Sequence, residues 1–292
     1  MKSKKIIIQL SGGLGNQMFM YATAKAFALR HGHQLYIDTE TGFKKDLTYK
    51  RTFDIQNFNI KYNQASDIDS YKFKFGYILQ KICRRIGRHL LYPTKLYIRE
   101  INHQFVPRLL NKTPFLSDVF LEGYWQKEYY FKEFEDIIRN DFILNKEISI
   151  KAKSYFNMIK EPSISPIAIG IRRYQEVSNN SLYQLEDENY YFKAINYYIE
   201  HTNNPLFFIF TQTPEWVKEN ITSKINAQFC YINGNEAFED LFLFSQCSNF
   251  IISNSTFYWW GAWLSTSPNK IVITSNKFPS KDLCLKEWIQ IG

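Results

Sequence analysis

The 292-residue sequence has few of the residues that build disulfide or metal frameworks. Its four cysteines, Cys83, Cys230, Cys247 and Cys284, lie far apart and form no C-x-x-C pair, and no histidine stands at zinc-like spacing from them. This usage is typical of a protein kept in a reducing compartment. The sequence therefore predicts neither a disulfide framework nor a metal site.

Glycine, proline and long apolar runs are also scarce. With 12 Gly, 9 Pro and no internal repeat, the chain is neither collagen-like nor a solenoid or propeller. No run approaches 18 apolar residues, and the run after the basic start MKSKK is too short for the core of a signal peptide. Hydrophobic residues make up 45% of the chain and aromatic residues 17%, which excludes general disorder. We expect a folded cytoplasmic protein.

The positive charge is concentrated in one segment. The formal net charge is +8, and residues 72–99 carry eight Lys or Arg with no Asp or Glu, so the other 264 residues are neutral overall. Apolar residues recur there at helical spacing, which predicts a basic amphipathic helix. Such a helix could lie on the anionic inner face of the cytoplasmic membrane, or it could be a solvated helix packed on its own core. The chain contains no nucleic-acid recognition module, so we expect no nucleic-acid partner.

Strand-like and helix-like patterns alternate along most of the chain. A strand at 5–10 is followed by a glycine turn, a helix to about residue 30 and a strand ending at Asp38. The pattern is weaker from 40 to 150, where we predict a strand at 119–122 and a helix at 131–140. Pro166 begins a second strand and helix series, with helices predicted at 188–201, 215–225, 236–247 and 256–264. Two α/β lobes follow, joined near 161–166, where prolines and serines interrupt the pattern.

The first segment with chemical potential is the glycine turn after the first strand. Gly13 and Gly15 fit a dinucleotide fingerprint, but Met18 occupies the place of its third glycine. Asp38, about 20 residues further on, keeps an NAD site open as an alternative. Asn16 and Gln17 supply amide side chains suited to sugar or phosphate contacts at a helix start.

The second segment ends a buried strand with two arginines, Arg172 and Arg173, in the sequence IAIGIRRYQEV. Open α/β sheets bind ligands at the carboxyl ends of their strands. Adjacent strand residues point in opposite directions, so one arginine can face a ligand while the other braces the loop. A guanidinium is suited to a diphosphate because its planar fork donates two parallel hydrogen bonds and stays charged.

The third segment, FIISNSTFYWWGAWL, passes from a strand into an aromatic helix. Backbone amides at that helix start, with neighbouring small hydroxyls, can hold an anion. The same residues are also ordinary helix caps, and the tryptophans are typical of a core. The residues of interest are Ser253, Asn254, Ser255 and Thr256.

Taken in order, these segments resemble the bacterial α-1,2-fucosyltransferases of glycosyltransferase family 11. The resemblance rests on GGLGNQMFMYATAKAFALRHG, LEGYWQKEYYF, IGIRRYQEV and SNSTFYWWGAW, and runs from residue 6 almost to the end of the chain. It implies an α/β, GT-B-like fold of two facing Rossmann-type lobes with the active site in the cleft between them. Residues 1–160 would form an acceptor-side lobe with a basic helical insertion at about 70–100. Residues 161–292 would form the lobe that binds the GDP-sugar.

The family's H-x-R-R-x-D signature falls on residues 170–175, where this chain keeps both arginines but has Gly170 and Gln175 for the histidine and aspartate. By resemblance, Arg172 holds the donor diphosphate and neutralises the leaving GDP, and Asp240 in FEDLFLFSQC contacts the guanine. Glu176 is then the one nearby carboxylate left in the loop, which makes it a candidate catalytic residue beside Arg172.

The implied reaction is inverting transfer of L-fucose from GDP-fucose to a galactoside hydroxyl, in α-1,2 linkage, on a cell-surface glycan or O-antigen precursor. GDP-fucose is a co-substrate, the acceptor is an oligosaccharide or lipid-linked glycan, and no metal or other cofactor is implied. The resemblance assigns donor contacts to Gly13, Gly15, Asn16, Gln17, Arg172, Arg173, Asp240 and residues 253–256. Two alternatives stay open: a catalytically silent GDP-sugar-binding protein, favoured by the changes at 170 and 175, and an NAD-dependent Rossmann enzyme.

Overall fold

The computed structural model describes residues 3–44, 46, 47, 49–66, 69, 95–101, 103–111, 117–173, 185–278 and 280–291. The chain divides into two compact units, residues 1–145 and 146–292. The boundary lies before the predicted join at 161–166 because the helix Ile150–Ile159 belongs to the second unit. Its N-cap residue Ser149 donates its backbone N–H to Glu239 at 2.6 Å, and Phe156 stacks on Phe242. The prolines and serines at 161–166 lead into a strand of that unit.

The first unit is built on a five-stranded parallel sheet with the order β3-β2-β1-β5-β4. Its strands and helices are β1 (Lys5–Gln9), α1 (Leu14–His31), β2 (Gln34–Asp38), β3 (Asn63–Gln64), β4 (Lys95–Arg99), β5 (Asp118–Glu122) and α2 (Glu135–Asp141). Ile6, Ile7 and Ile8 are all fully buried, as expected for a central strand of a parallel sheet covered on both faces. Helix α1 ends at Gly32, whose φ of 62° lies in the left-handed region.

The basic helix predicted at about 70–100 does not extend to residue 100. Residues Lys95–Arg99 form β4, which pairs in parallel with β5, and Arg99 lies 3.6 Å from Glu122. The other basic residues of this segment lie outside the described residues. The predicted strand at 119–122 is confirmed, whereas the helix predicted at 131–140 is confined to α2, after two short 3₁₀ turns.

The second unit contains a six-stranded parallel sheet with the order β11-β10-β9-β6-β7-β8. Its elements are α3 (Ile150–Ile159), β6 (Ser165–Ile171), α4 (Glu188–His201), β7 (Pro205–Thr211), α5 (Pro214–Asn220), β8 (Gln228–Ile232), α6 (Ala237–Ser245), β9 (Asn249–Ile252), α7 (Thr256–Leu264), β10 (Val272–Ser275) and β11 (Ile289–Ile291). Counted from β6, the order is 3-2-1-4-5-6, that of a dinucleotide-binding Rossmann sheet. The predicted alternation of strands and helices is confirmed in this unit.

The core of the second unit lies on both faces of its sheet. Tyr190 and Tyr198 on α4 are buried and donate their hydroxyls to backbone carbonyls of the sheet region. On the other face, α6 and α7 pack together, with Phe244 beside Tyr258. No helix of the described residues is long and apolar enough to cross a lipid bilayer.

Candidate functional site

In the second unit, the order of strands reverses between β6 and β9, which are paired neighbours. A crevice outside the carboxyl ends of the strands at such a switch point is where open α/β sheets bind ligands. The segments that leave these two strands are Arg172-Arg173, after β6, and residues 253–256, after β9. The topology therefore brings the second and third predicted segments to one edge of the sheet.

The two arginines have different surroundings. Arg172 donates from Nη1 to Oγ of Ser255 at 3.3 Å, so it is directed to the segment after β9. Arg173 lies over the ring of Trp216 with its guanidinium carbon 3.7 Å from the ring centroid, and it donates to the carbonyl of Glu186 at 3.3 Å. Arg172 thus faces the switch point, and Arg173 braces the neighbouring helix and loop.

The segment after β9 is tied to its surroundings residue by residue. Ser253 donates its backbone N–H to the carbonyl of Gly170 at 3.2 Å, and Asn254 donates from Nδ2 to the carbonyl of Lys277 at 2.8 Å. Ser255 is the N-cap of α7, but its hydroxyl accepts the Arg172 hydrogen bond and makes no capping bond. Thr256 opens the helix. The start of α7 is therefore held beside Arg172, with its amides at the same edge of the sheet.

Two buried hydroxyls lie close to each other at this edge of the sheet. They are Oγ of Ser253 and the hydroxyl of Tyr191, on α4. Burial is the main reason that the pKa of Tyr191 is raised above its ordinary value, and the charge of Glu186 adds to it. Both hydroxyls are neutral donors at physiological pH.

A buried acid at the end of β10 completes this edge. Glu186 has 1% of its side chain exposed and lies 3.2 Å from Nζ of Lys277, while its other oxygen accepts from the hydroxyl of Ser275. The sequence analysis missed this cluster because Glu186 and Lys277 are 91 residues apart and lie in no recognisable motif. Its role in the structure is to fix the loop that follows β10.

Gly170 and the ring of Tyr258 pack against each other beside Arg172. A Cβ atom on Gly170 would lie only 2.3 Å from the nearest ring atom of Tyr258, so no side chain fits there. The hydroxyl of Tyr258 donates to the carbonyls of Phe210 and Ile171, at 2.8 and 3.3 Å. The tryptophans of this helix, Trp259, Trp260 and Trp263, are buried as predicted, and the contact of Tyr258 with Gly170 has no local signal in the sequence.

Asp240 lies on α6, in the crossover between β8 and β9. It accepts a hydrogen bond from Nδ2 of Asn235 at 2.9 Å. Burial raises its pKa to about 6, with a smaller contribution from the charge of Glu239. A carboxylate with this pKa is mainly ionised at neutral pH and can accept hydrogen bonds from a nucleobase.

The glycine turn of the first unit lies at the carboxyl end of β1, where the order of its sheet reverses between β1 and β5. Gly12 has a φ of +74°, and Gly13 is the N-cap of α1, with Gly15 buried inside its first turn. Oδ1 of Asn16 accepts from Gln126, which follows β5. These three predicted donor contacts, Gly13, Gly15 and Asn16, therefore share one sheet edge, and their contact with a donor stays a prediction.

The predicted donor contact of Gln17 does not agree with the structure. Gln17 is fully buried, and its Nε2 donates to the carbonyls of Gly12 and Thr52 at 2.9 and 2.8 Å. Its Oε1 accepts the backbone N–H groups of Asp54 and Ile55. An amide occupied on both sides by backbone groups has no capacity left for a ligand, so the structure places Gln17 in the scaffold.

The NAD alternative also loses its main support. The carboxylate of Asp38 is buried and accepts from the backbone N–H groups of Glu40 and Thr41, at 3.1 and 2.9 Å, and from the hydroxyl of Thr41. A ribose would have to displace these bonds. Met18, in place of the third fingerprint glycine, is fully buried in α1.

One basic residue near the glycine turn was missed. The guanidinium carbon of Arg51 would lie 3.8 Å from a Cβ on Gly13, and it lies 4.8 Å from the centroid of the Tyr49 ring. Loop arginines brought to a turn by tertiary folding have no local sequence signal.

Glu176, Tyr174 and Gln175 lie outside the described residues, so the prediction for Glu176 stays a prediction. The described ranges contain no group of three or more His, Cys, Asp or Glu side chains that could hold a metal ion. Two surface hollows of about 310 and 470 Å³ lie at the amino end of β2 and beside α4. Neither is at a carboxyl edge, so neither is the candidate site.

Comparison with known proteins agrees with this geometry. The chain is 29% identical to the alpha-1,2-colitosyltransferase of Escherichia coli over 98% of both chains. It is 26% identical to the E. coli O-antigen biosynthesis glycosyltransferase WbnK, over 97% of this chain and 99% of that one. Among solved structures, NodZ alpha-1,6-fucosyltransferase soaked with GDP-fucose aligns with a TM-score of 0.55 and 14% identity, over 90% of this chain and 93% of the other. That likeness confirms the GT-B-like fold of two Rossmann-type lobes.

The profile of Glycosyl transferase family 11 matches residues 99–292, which include both arginines, Asp240 and the segment 253–256. The match covers more than half of the chain and the whole candidate site of the second unit. The chain therefore belongs to glycosyltransferase family 11.

Proposed function

We propose that this protein transfers L-fucose from GDP-fucose to a galactoside hydroxyl with inversion, forming an α-1,2 linkage on a cell-surface glycan or O-antigen precursor. The observation that carries the proposal is Arg172, held by Ser255 at the switch point of a Rossmann sheet. The names of the relatives support the reaction class, since one is an alpha-1,2-colitosyltransferase and another acts in O-antigen biosynthesis. The structural neighbour soaked with GDP-fucose supports the donor.

Arg172 has the main role in the donor half of the proposed reaction. Cleavage of the fucosyl C–O bond leaves its electron pair on the GDP β-phosphate, where negative charge grows. A guanidinium with a permanent positive charge stabilises that charge by two parallel hydrogen bonds. The amides at the start of α7 and the hydroxyls of the segment 253–256 lie beside Arg172 and favour the same anion.

Asp240 provides recognition of the base in this proposal. Guanine presents two adjacent N–H donors, at N1 and N2, and an ionised carboxylate accepts both. Asn235 donates to Oδ1 of Asp240, which orients the carboxylate. The raised pKa of Asp240 makes this contact dependent on pH.

The acceptor half of the reaction is assigned to the N-terminal lobe. The acceptor hydroxyl attacks the fucosyl carbon from the side opposite GDP, which inverts the configuration. Its proton goes to a base, for which Glu176 is our candidate, or is lost late, because a stabilised GDP leaving group and an oxocarbenium-like sugar reduce the need for early deprotonation. In this scheme Arg172 contributes more to the rate than Glu176.

A colitosyl donor is the second candidate, because the alpha-1,2-colitosyltransferase matches over almost the full length of both chains. Colitose is the 3-deoxy counterpart of L-fucose, so a GDP-colitose donor would differ from GDP-fucose at one hydroxyl. The diphosphate and guanine contacts proposed above serve both donors.

A donor and acceptor panel tests the proposal. The purified protein is incubated with GDP-fucose, GDP-colitose, GDP-mannose or UDP-galactose and a set of β-galactosides, and the products are analysed for linkage. We expect an α-1,2-linked product from GDP-fucose and none from UDP-galactose. Transfer from GDP-colitose alone would replace the donor assignment. Binding of GDP-fucose with neither transfer nor hydrolysis would favour the silent sugar-nucleotide-binding protein.

A further inference from the structure

The start of α7 is attached to the end of β6 by three consecutive contacts. The backbone N–H of Ser253 donates to the carbonyl of Gly170 at 3.2 Å. The hydroxyl of Tyr258 lies 3.3 Å from the carbonyl of Ile171. Oγ of Ser255 accepts from Arg172 at 3.3 Å. The position of Arg172 is thus coupled to the position of α7.

Tyr258 has a special place among these contacts because it is fixed from two sides. Its ring lies against the bare backbone of Gly170, at a distance that leaves no room for a Cβ atom. Its hydroxyl donates mainly to the carbonyl of Phe210, at 2.8 Å, so the ring bridges the carboxyl ends of β6 and β7. Phe244 stacks on the ring, with 5.2 Å between the ring centroids. Only 8% of Tyr258 is exposed.

We propose that Tyr258, interlocked with Gly170, is a positioning residue that holds Arg172 in the orientation needed to bind the donor diphosphate. This inference rests on the proposed function only in taking Arg172 as the diphosphate ligand. Tyr258 need not touch the substrate. It acts through Ile171, the residue directly before Arg172, and through Ser255, on the same turn of chain as Tyr258.

A second tyrosine provides a matched control for the loss of a buried hydroxyl. Tyr198 is fully buried and donates to the carbonyls of Ile271 and Phe250, at 2.8 and 3.2 Å, at the amino ends of β10 and β9. It makes the same kind of bond as Tyr258, in the same sheet, but at the opposite edge. A purely structural effect of losing the hydroxyl should therefore be similar for both tyrosines.

The test measures GDP binding by calorimetry and transfer kinetics for the full chain and for two variants, Tyr258→Phe and Tyr198→Phe. We expect Tyr258→Phe to raise the Kd for GDP and to lower kcat, each about tenfold, as expected for the loss of about one hydrogen bond's worth of positioning. Tyr198→Phe should leave both values within about twofold of the wild type. It should lower Tm by about as much as Tyr258→Phe does. The inference is wrong if Tyr258→Phe binds GDP like the wild type, or if Tyr198→Phe loses as much affinity.

A double-mutant cycle separates action through Arg172 from an independent contact. In an Arg172→Lys background, Tyr258→Phe should cause no further loss of GDP affinity, because the fork that it positions is gone. Additive losses would contradict the positioning role. A wild type that binds GDP but transfers no sugar would refute the proposed function while the cycle still decides the role of Tyr258. A wild type that does not bind GDP would refute both.

Discussion

At the scale of single residues, the neighbouring arginines show how one dipeptide can have two roles. Arg172 donates to Ser255 at the switch point. Arg173 stacks on the ring of Trp216 and donates to the carbonyl of Glu186. The guanidinium of Arg173 is therefore engaged within the protein, in keeping with a bracing role. The difference follows from strand alternation, which directs the two side chains to opposite sides.

Replacing Arg172 by lysine should nearly abolish transfer. Lysine keeps the charge but loses the two-pronged geometry, so we expect kcat/KM to fall by about 100-fold to 1000-fold. Arg173→Lys is the control. It should lower Tm, because it removes the stacking on Trp216, and it should lower kcat much less than Arg172→Lys does. Steady-state kinetics and thermal unfolding of both variants measure this. A larger loss of kcat in Arg173→Lys would reverse the two assignments.

Asp240 should make donor binding pH-dependent. Its pKa is raised to about 6, mainly by burial, so the carboxylate that accepts from guanine is largely lost at pH 5. We expect the affinity for GDP-fucose, which itself does not titrate in this range, to fall about tenfold from pH 7 to pH 5. Asp240→Asn should bind weakly at both values. A wild-type affinity that is constant across this range would contradict the base contact.

The raised pKa of Asp240 affects stability in the opposite direction from donor binding: lowering the pH weakens binding but stabilises the fold. A carboxyl whose pKa is raised by folding stabilises the fold when protonated; this contribution is complete below its ordinary value of 3.8 and is lost as the pH rises through about 6. Protonation of Asp240 at pH 5 therefore favours the folded state. A loss of GDP-fucose affinity at pH 5 is then not explained by unfolding at this site.

At the scale of elements, much of the second unit could be predicted from local pattern. The helices at 188–201 and 256–264 have the predicted bounds, because each is flanked by turn or capping residues and followed by a strand. The helix predicted at 215–225 ends at Asn220 and continues as a 3₁₀ turn at 222–224. Local periodicity does not distinguish these two conformations.

The remaining elements depend on distant parts of the chain. The strand β4 is five residues long, and its pairing with β5 joins positions that are more than 20 residues apart. Helix α3 was missed because its buried residues are few, chiefly Ala152 and Ile159, so it carries a weak apolar pattern. In the candidate site, Arg172 and Ser255 were found from motifs, whereas the interlock of Gly170 with Tyr258 requires the tertiary contact.

Gln17 ties helix α1 to the loop that follows β2. Replacing it with methionine would leave four backbone groups, one of them buried and the others partly buried, without their partner; they belong to Gly12, Thr52, Asp54 and Ile55. Unpaired buried polar groups cost about 1–3 kcal/mol each, partly relieved by water, so we expect a loss of about 2–3 kcal/mol in the free energy of unfolding. Chemical denaturation of the full chain measures this loss.

The control for Gln17→Met is Gln228→Met, at an exposed position at the start of β8. This variant should unfold within about 0.5 kcal/mol of the wild type. If Gln17→Met were as stable as its control and instead lost donor affinity, the original assignment of Gln17 to the donor site would be restored.

At the scale of the whole molecule, the proposed reaction needs no metal ion, because Arg172 neutralises the negative charge on the leaving GDP. If Arg172 and the start of α7 stabilise the leaving GDP, transfer should continue at an unchanged initial rate after treatment with excess EDTA. The measurement is the rate of product formation before and after removal of divalent cations. Complete loss of activity, restored by magnesium or manganese, would show that a metal ion takes the role proposed for Arg172.

The net charge of +8 is located in one short stretch of the chain, which carries a whole-molecule prediction of its own. Residues 72–99 hold eight basic residues and no acidic one, and the last of them, in β4, are part of the first sheet. A local positive charge of this size is attracted to anionic lipid, with each basic residue near the surface contributing about 1 kcal/mol. A lipid-linked acceptor glycan would be presented at the same surface.

Vesicle binding should therefore depend on this stretch, while catalysis on a soluble acceptor should not. Replacing Lys81, Arg84, Arg85 and Arg88 together by glutamine should release the protein from phosphatidylserine vesicles, and wild-type binding should weaken steeply with salt. A control variant removes the same charge from exposed lysines of the second unit, at 193, 218, 224 and 286. Equal loss of vesicle binding in both variants would mean that net charge alone acts. If the first variant still bound vesicles, the basic segment would be a solvated segment that does not bind membrane. If that variant lost transfer to the soluble acceptor, the segment would belong to the acceptor site.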